Sequence, residues 1–340
     1  MRGDRQGRRS TASGVSVARV LSGIQPTGQL HLGNYLGATS RWVQQQDPEH
    51  FFCIVDMHAI TVPHDPQDLI NRTLDVAGWL YASGIDPDLC TLFVQSQVHE
   101  HAELSWVLEC LATLGELGRM TQFKEKSEGR ESVSVGLFTY PVLQAADILL
   151  YQADEVPVGE DQRQHIELTR DLAQRFNHRF GDTFRLPRAT LPSRGARIMD
   201  LQLVDKKMSK SLPPAGTVLL GDDEDTTRRK IQRAVTDSGT EIRAAADKPA
   251  ITNLLDMMAA VTSSAVPDLE RAYQGKGYGA FKQDVAEAVN GLLRPVRQRY
   301  AELRADPGAV AEALRKGADK ARDVAAQTMS VVRQRVGYLT

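Results

Sequence analysis

The amino-acid sequence predicts an α/β fold in which a doubly wound parallel sheet with inserted helices is followed by an all-helical C-terminal part. Short, nearly continuous apolar runs alternate with longer stretches of helical spacing through the first half of the chain. This alternation is typical of parallel strands that are covered by helices on both faces. The strand-like runs stop near residue 220, and only helical spacing follows.

The first half of the chain contains the predicted strands. Apolar runs at 18–24, 51–56 and 91–95 predict buried strands, and the stretches at 36–46, 66–83 and 102–117 predict helices. Residues 140–179 have a mostly helical pattern with an extended piece at 155–158, and a further short strand is predicted at 196–201. Sheets of this kind bind ligands at the carboxyl ends of their strands, where loops lead into helices.

The length of 340 residues predicts two domains rather than one compact core. Helices are predicted in the C-terminal part at 222–235, 251–261, 266–274, 278–303 and 307–336. Pro213, Pro214 and Gly216 interrupt regular structure just before them. We therefore expect a disordered extension at 1–17, an α/β domain at 18–217 and a helical domain at 218–340.

The N-terminal extension is rich in arginine. Arg2, Arg5, Arg8 and Arg9 stand against one acid, Asp4, with glycine and serine between them. Because this segment has almost no apolar surface to bury, we expect it to be disordered. A targeting segment or an RNA-contacting arm would carry the same charge, but the apolar stretch of a secretory signal is missing.

Composition excludes several classes of protein. Apolar residues make up 41% of the chain, but no apolar run approaches the roughly 20 residues that span a bilayer. The formal net charge of -2 gives no overall basic surface for nucleic acid, although local patches can still hold a folded RNA. Cys53, Cys90 and Cys110 lie far apart in apolar surroundings, so we expect buried, reduced thiols and neither a zinc site nor an iron–sulfur cluster.

A glycine-rich turn follows the first predicted strand. Residues 22–28 read Ser-Gly-Ile-Gln-Pro-Thr-Gly, and His31-Leu32-Gly33-Asn34 then opens a helix. The first turn of a helix offers unpaired N–H groups and the positive end of its dipole, which suit a polyphosphate. Gly33 lets a ligand approach the backbone, and His31 and Asn34 add donors without adding an acid. The alternative is a structural turn whose histidine is satisfied by its neighbours.

A lysine-rich loop lies far along the chain from this turn. Residues 207–211 read Lys-Met-Ser-Lys-Ser, and Lys206 precedes them. Lysines interleaved with serines can neutralise a leaving pyrophosphate as charge develops on it. A solvated run of charge is the ordinary alternative, but the apolar Met208 and the two hydroxyl groups are unusual for one.

Together, the two motifs resemble the signatures of class I aminoacyl-tRNA synthetases. The first motif, in its Ser-Gly-Ile-Gln-Pro-Thr-Gly setting and ending in Asn34, resembles that of the bacterial tryptophanyl-tRNA synthetases in particular. Further similar stretches are IVDMHAITV at 54–62, MTQFKEK at 120–126, YPVLQAADILLY at 140–151, VGEDQRQHIELTRDLA at 158–173, AVTDS at 234–238 and GKGYGAFK at 275–282. The similarity extends over residues 18–335 and implies a Rossmann-like catalytic domain followed by a helical anticodon-binding domain.

The resemblance implies a reaction in two steps. The carboxylate of L-tryptophan attacks the α-phosphorus of ATP, pyrophosphate leaves, and the tryptophanyl group then passes to the terminal adenosine of tRNA(Trp). This chemistry needs alignment and charge stabilisation rather than a protein nucleophile. Mg²⁺ is expected on the ATP phosphates, with no metal ligand from the protein.

The resemblance also implies roles for particular residues. The implied catalytic residues are His31, Asn34, Lys126, Lys207 and Lys210. The implied ATP-binding residues are Gln25, Pro26, Thr27, Gly33, Asn34, Gly159, Glu160, Asp161, Ile198, Lys207, Met208, Ser209, Lys210 and Ser211. The residues implied around tryptophan are Leu21, His58, Tyr140, Gln144, Asp147, Val158 and Gln162.

By the same resemblance, Asp147 determines the amino-acid specificity. A carboxylate at the end of an apolar slot would accept the indole N–H, which is a donor only. Phenylalanine would leave that acceptor unpaired, at a cost of about 1–3 kcal/mol. Tyr140 and Gln162 would receive the α-amino group. The structural alternatives are a carboxylate on a helix surface for Asp147 and a satisfied core histidine for His58.

The sequence departs from the family pattern at several positions. Leu21 and Gln144 stand where the family usually has Phe and Met, and Leu212 stands where Asp is frequent. The first two changes alter the indole pocket, so we hypothesise that indole-based inhibitors bind differently while tryptophan is still accepted. Harmless drift with compensating repacking is the alternative. Tyr140-x3-Gln144-x2-Asp147 is also the pattern of tyrosyl-tRNA synthetases, which makes a tyrosine enzyme the main competing interpretation.

Tryptophan is favoured over tyrosine by three features of the sequence. Glu160 stands where bacterial tyrosyl enzymes have Ser, residues 56–61 are of the tryptophan kind, and the C-terminal third shows no RNA-binding appendage. A nucleotidylyltransferase and a binding protein derived from a synthetase are further alternatives, which the helical C-terminal part and the intact Asn34 and lysines argue against. The resemblance also implies a cytoplasmic homodimer without membrane association, in which tRNA bridges the subunits.

Overall fold

A parallel sheet lies at the centre of the molecule. The computed structural model describes residues 17–129, 131–190, 198–209 and 212–339. The strands in these ranges are β1 (Val20–Ile24), β2 (His50–Ile54), β3 (Thr91–Val94), β4 (Glu155–Pro157) and β5 (Arg188–Thr190). They form one five-stranded sheet in the order β3-β2-β1-β4-β5, and every neighbouring pair is parallel. The predicted doubly wound α/β fold is confirmed.

The described helices fall into two groups along the chain. Those between the first and the last strand are α1 (Leu32–Asn34), α2 (Ser40–Gln44), α3 (Asp56–Ala59), α4 (Pro66–Ala82), α5 (Glu100–Glu109), α6 (Leu114–Gly118), α7 (Thr121–Ser127), α8 (Val135–Leu150) and α9 (Arg163–Phe180). Those after the last strand are α10 (Glu224–Gln232), α11 (Pro249–Thr262), α12 (Val266–Ala272), α13 (Tyr278–Ala305) and α14 (Pro307–Val336). None of the helices in the described ranges is long and apolar enough to cross a membrane.

The strand order creates a crevice at the carboxyl ends of β1 and β4. The middle strand β1 pairs with β2 along its length, from Val20 opposite His50 to Ile24 opposite Ile54. On its other side it pairs with β4, where Val20 lies opposite Glu155. The chain order therefore reverses between β1 and β4. Open α/β sheets bind ligands at such a switch point.

Helices cover both faces of the sheet. Because successive side chains of a strand point to opposite faces, Phe51 and Cys53 pack in one apolar cluster, and Phe52 and Ile54 pack in another. Residues of α5, α8 and α9 close the first cluster, and residues of α4 close the second. Each fully buried side chain of this size contributes about 1.5–3 kcal/mol, so packing on both faces of the sheet stabilises the fold.

The C-terminal helices return to the sheet. The last helix, α14, packs along the edge strand β3, where Ala318 and Ala325 join the same apolar cluster as Phe93. Helix α13 packs on α4, where the rings of Trp79 and Tyr300 stack with centroids 3.6 Å apart. A helix over an edge strand protects the strand's backbone groups from pairing with another chain. The domain border inferred from the sequence stays a prediction.

The prediction of one continuous helix at 102–117 is wrong, because the structure has two helices there. Helix α5 ends at Glu109, and α6 begins at Leu114. Thr113 and Glu116 form a capping box: the Glu116 N–H donates to the Thr113 hydroxyl over 3.3 Å, and the Thr113 N–H donates to the Glu116 carboxylate over 3.0 Å. This Thr-x-x-Glu pattern starts a new helix.

The end of the α/β part also differs from expectation. Strand β5 is not predicted, because its sequence, Arg-Ala-Thr, contains no apolar run. Of the strand predicted at 196–201, residues 196 and 197 lie outside the described residues. The remainder is not a strand and forms one isolated bridge, between Met199 and Lys207. The predicted disordered extension lies outside the described residues, except for Val17.

We expect Gly317→Ala to destabilise the protein. A Cβ at Gly317 in α14 would lie 1.9 Å from the backbone oxygen of Leu92, so the helix would have to move away from β3. Overpacking of this kind costs about 1–3 kcal/mol, which should lower the midpoint of thermal unfolding by several degrees. Gly291→Ala in α13 is the matched control, because a Cβ there meets nothing within 4 Å and alanine favours a helix. An unchanged midpoint in Gly317→Ala would contradict the close packing of α14 on β3.

Candidate active site

A cavity of about 390 Å³ opens at the carboxyl ends of β1 and β4. Its wall contains every residue that the sequence analysis implies around the amino acid: Leu21, His58, Tyr140, Gln144, Asp147, Val158 and Gln162. It also contains three of the residues implied for ATP or catalysis: Gln25, Lys126 and Asp161. These side chains come from separate strands, helices and loops, so only the fold brings them together.

Asp147 is buried in the wall of this cavity. Among the described residues, three side chains donate hydrogen bonds to it. Its Oδ1 accepts from Gln95 Nε2 over 2.7 Å and from His101 Nδ1 over 2.6 Å, and its Oδ2 accepts from His58 Nε2 over 2.9 Å. At 3% exposure, Asp147 is not a surface carboxylate. Since an ionised carboxylate offers about four lone-pair sites, one site on Oδ2 remains for a donor on a ligand.

These contacts keep the Asp147 carboxylate ionised. Burial would raise its pKa, but the hydrogen bonds from His101 and His58 outweigh that effect and lower the pKa to about 2. Tyr151 holds the far side of His101, where its hydroxyl lies 2.8 Å from His101 Nε2. Tyr151 thereby fixes the orientation of the ring that donates through Nδ1 to Asp147. The cavity therefore presents a fixed negative charge.

Tyr140 and Gln162 are joined through a buried histidine. Tyr140 Oη lies 3.2 Å from His165 Nε2, and Gln162 Oε1 lies 2.8 Å from His165 Nδ1. The ammonium group of Lys126 lies 4.8 Å from the centroid of the Tyr140 ring, in a cation–π contact. Partial burial lowers the pKa of Lys126. Polar acceptors and a lysine thus share this part of the cavity.

Leu21 and Gln144, the two departures from the family pattern, both line the cavity. Leu21 is buried and belongs to the apolar cluster under the sheet. Gln144 is half-buried, and its amide has no hydrogen-bond partner among the described residues. An amide without a protein partner in a cavity wall is available to a ligand or to water.

His31 caps the helix that its motif begins. Its Nδ1 accepts from the Asn34 N–H over 3.3 Å, and Asn34 Oδ1 accepts from the His31 N–H over 3.1 Å. This reciprocal pair is a capping box at the start of α1. Because Nδ1 accepts, the proton of a neutral His31 ring lies on Nε2. His31 therefore has the structural role in the turn that the sequence left open as an alternative, and phosphate binding by His31 stays a prediction.

The lysine loop packs on this first motif. A Cβ at Gly33 would lie 3.6 Å from the Cβ of Met208. Met208 is buried with Leu32 in one apolar cluster, and Ser209 beside it is half-buried. The Leu32 N–H donates to the backbone oxygen of Val218 over 2.8 Å, which ties the chain after the lysine loop to α1. The two motifs, far apart in the sequence, are neighbours in the structure.

Helix α11 fastens the lysine loop from the other side. The side-chain amide of Asn253 accepts from the Met199 N–H over 2.8 Å and donates to the Met199 backbone oxygen over 3.0 Å. Met199 in turn forms the bridge to Lys207. The Lys207 side chain is exposed and has no partner among the described residues. Lys210 and Ser211 lie outside the described residues.

Several implied residues lie outside the cavity wall. These are Pro26, Thr27, His31, Gly33, Asn34, Gly159, Glu160, Ile198, Lys207, Met208 and Ser209. Pro26 and Thr27 line a second cavity of about 280 Å³. Gly159 and Glu160 are exposed in the turn before α9, whereas Ile198 is buried in the apolar cluster of Met208. The implied nucleotide site is therefore spread over several surfaces, and its residues keep their roles as predictions.

Sequence reasoning misses the residues that hold the site residues in place. They are Gln95, His101, Gln122, Tyr151 and His165. His101 and His165 lie among apolar residues of α5 and α9 and are almost completely buried. A buried histidine requires hydrogen-bond partners, so histidine within an apolar helix pattern is the signal that could have found them.

The cysteines and the acidic residues give no metal site within the described residues, where no group of His, Cys, Asp and Glu side chains could hold an ion. Cys53 and Cys90 are buried, and burial raises the pKa of both thiols. Both are therefore protonated and weakly reactive. Cys110 is exposed, so the expectation that all three are buried is wrong for it.

Comparison with known families identifies the class. The family described as tRNA synthetases class I (W and Y) matches residues 16–294, so the chain belongs to this family. The resemblance drawn from the motifs is confirmed.

Individual relatives narrow the comparison to tryptophan enzymes. The chain is 55% identical over 327 residues to tryptophan–tRNA ligase 2 of Streptomyces avermitilis, covering 94% of this chain and 97% of that protein. It is 51% identical to tryptophan–tRNA ligase of Caldanaerobacter subterraneus, covering 95% and 99%. The tryptophanyl-tRNA synthetase of Mycoplasma pneumoniae has a TM-score of 0.86 at 37% identity, covering 95% and 98%. That of Campylobacter jejuni, solved with ADP and tryptophan, has a TM-score of 0.82 at 36% identity, covering 94% and 99%.

The charge of Asp147 predicts how stability depends on pH. Its pKa of about 2 lies below the ordinary value of 3.8, so the ionised form stabilises the fold above that ordinary value. This contribution is lost as the pH falls toward the folded-state pKa, and in full it is on the order of 2 kcal/mol. The difference in unfolding free energy between wild type and Asp147→Asn should stay constant from pH 7 to pH 5 and shrink below about pH 4. Urea unfolding checks this, and a difference that disappears between pH 7 and pH 5 would contradict it.

Proposed function

We propose that this protein activates L-tryptophan with ATP to tryptophanyl-adenylate and transfers the tryptophanyl group to tRNA(Trp), releasing AMP and pyrophosphate. The observation that carries the proposal is the buried, ionised Asp147 in the cavity wall. Membership of the synthetase family supports the reaction, and highly similar relatives named tryptophan–tRNA ligase support the amino acid.

Asp147 suits the indole ring because of what each group can donate or accept. The indole nitrogen is a donor only, and the free lone-pair site of Asp147 Oδ2 is an acceptor only. Leu21 and Val158 line the same cavity and offer apolar contact to the ring. Phenylalanine fills such a slot without donating a hydrogen bond, so it would displace water from the buried carboxylate and put nothing in its place.

The nucleotide side of the reaction needs positive charge rather than a nucleophile. A carboxylate oxygen of tryptophan forms a bond to the α-phosphorus of ATP, and the bond from that phosphorus to the pyrophosphate oxygen breaks. Negative charge therefore grows on the leaving pyrophosphate. Lys126 in the cavity wall and Lys207 in the loop that packs beside Gly33 are suited to that role, and Gln25 lines the same cavity as Lys126. Mg²⁺ would arrive with the ATP phosphates.

Further partners follow from the substrate. The helices after β5 would contact tRNA(Trp), and we expect the enzyme in the cytoplasm, where charged tRNA is used. A homodimer is supported by large apolar side chains that remain exposed on α5, α6 and α8: Trp106, Leu114 and Val135. Such side chains are typical of surfaces that a second subunit covers.

Tyrosine is the second candidate substrate, because Tyr140, Gln144 and Asp147, whose spacing in the sequence resembles that of tyrosyl-tRNA synthetases, line one cavity. ATP–pyrophosphate exchange with each amino acid in turn separates the two. We expect exchange that depends on tryptophan, followed by charging of tRNA(Trp). Exchange that depends on tyrosine and is absent with tryptophan would refute the proposed function.

Lys207→Ala should slow adenylate formation strongly. Loss of one preorganised charge next to developing negative charge typically costs about 10²–10³-fold in rate, and the KM for tryptophan should change little. Pre-steady-state or pyrophosphate-exchange kinetics measure the effect. Lys206→Ala is the matched control, since Lys206 is the adjacent exposed lysine and lies 3.7 Å from the carboxylate of Asp205. Equal rates for the two variants would exclude a specific role of Lys207.

A further inference from the structure

Five side chains at the edge of the cavity form a ring of polar contacts. Gln122 Nε2 and Gln162 Nε2 donate to Asp161 Oδ2 over 3.1 and 2.8 Å. His165 joins Gln162 to Tyr140 by the two contacts of its ring nitrogens. Tyr140 Oη also lies 3.4 Å from Gln122 Oε1, so the Tyr140 hydroxyl has two acceptors within reach and one proton for them. All members line the cavity except His165, which is 1% exposed and lies behind them on α9.

The negative charge of Asp161 sets the direction of each bond. An ionised carboxylate only accepts, so both glutamines must turn their amide nitrogens to it and their amide oxygens away. Gln162 Oε1 can then only accept, so His165 Nδ1 carries the proton between them. Asp161 Oδ1 lies 2.5 Å from the place that a Cβ at Gly159 would occupy, so any larger residue at this position would displace the carboxylate.

The position of the proton on His165 determines in which direction the Tyr140 hydroxyl donates. Burial, with Lys126 nearby, lowers the pKa of His165 to about 4, so the ring is neutral near pH 7. A neutral histidine with its proton on Nδ1 is an acceptor at Nε2. The Tyr140 hydroxyl therefore donates its one proton to Nε2 over 3.2 Å, and its lone pairs stay free of that contact.

The oxygens of the ring that line the cavity are consequently acceptors. Because the Tyr140 hydroxyl donates its one proton to His165, Tyr140 Oη can only accept from a ligand, and the neighbouring Gln122 Oε1 carries no proton to donate. Gln162 Oε1 accepts from His165 and keeps a second lone pair. A group with three N–H donors and no acceptor fits this set, and an α-ammonium group is such a group.

We propose that His165 is a positioning residue for the α-ammonium group of the amino acid. His165 accepts a hydrogen bond from the Tyr140 hydroxyl and donates one to Gln162 Oε1. It thereby keeps Tyr140 Oη and Gln162 Oε1 as acceptors toward the cavity without touching the substrate. This inference rests on the proposed function, since it assumes an amino acid in this cavity. The resemblance implies a role for Tyr140 and Gln162 but gives none to His165 or Gln122.

The test compares ligands that differ only in the groups on the side chain of indole. Dissociation constants are measured on the full-length protein for L-tryptophan, for tryptamine, which keeps the ammonium group, and for indole-3-propionate, which lacks it. In His165→Phe, the constants for tryptophan and tryptamine should rise about tenfold or more, because hydrogen bonds to a charged group are among the strongest in proteins. The constant for indole-3-propionate and the KM for ATP should stay within about twofold.

Further variants test whether the loss of binding is specific to His165 and acts through Tyr140. His178→Phe is the matched control, because His178 is exposed on the same helix α9 and should leave all three constants unchanged. Tyr140→Phe should reproduce the selective loss. The double variant Tyr140→Phe/His165→Phe should lose less than the product of the single losses, because His165 acts partly through Tyr140. If His165→Phe does not fold, His165→Asn replaces it, since asparagine keeps a donor for Gln162 and offers Tyr140 no ring nitrogen.

The outcomes separate this inference from the proposed function. Equal weakening of all three ligands would mean that His165 only supports the fold, and unchanged tryptophan binding would mean that it positions nothing. Either result overturns the inference while tryptophan-dependent exchange by the wild type still supports the enzyme. A wild type that neither binds tryptophan nor catalyses that exchange overturns both.

Discussion

The cavity depends on a carboxylate that is buried and still charged. Asp147 comes from α8, and its hydrogen-bond donors come from three other places: His58 on α3, Gln95 after β3 and His101 on α5. An unpaired charge at this depth would neutralise itself or destabilise the fold. The sheet order that brings these elements together is therefore also what keeps the charge in place. A ligand that donates one hydrogen bond to Asp147 Oδ2 would fill the remaining lone-pair site of the carboxylate.

Hydrogen bonds and apolar packing also join the lysine loop to the C-terminal helices. Asn253 of α11 bonds both backbone groups of Met199, which pairs with Lys207, while Met208 packs beside Gly33. The lysine loop is thus held between α1 and the helical part of the chain. This arrangement makes neighbours of two predicted phosphate motifs that lie far apart in the sequence, and it gives the helices after β5 a role in placing Lys207.

Much of the fold and part of the site could be predicted from the sequence. The alternation of apolar runs gives the parallel sheet, since buried parallel strands leave a strong pattern, whereas β5 leaves none. Asp147 is identifiable by resemblance, but its partnership with His101 is not, because the pattern of α5 can indicate that this histidine is buried but not which side chain it contacts. His31 shows the limit of motif reading: its imidazole caps α1, a local role that the family signature does not express.

The proposed function and the proposed role of His165 together require that Asp147 receives the indole N–H while the side chains around His165 receive the ammonium group. A crystal structure of the protein with L-tryptophan tests it most directly. We predict the indole nitrogen at hydrogen-bond distance from Asp147 Oδ2, about 2.7–3.2 Å, and the ammonium nitrogen at a similar distance from Tyr140 Oη and Gln162 Oε1. An indole nitrogen directed away from Asp147, or an ammonium group bound elsewhere, would contradict the account.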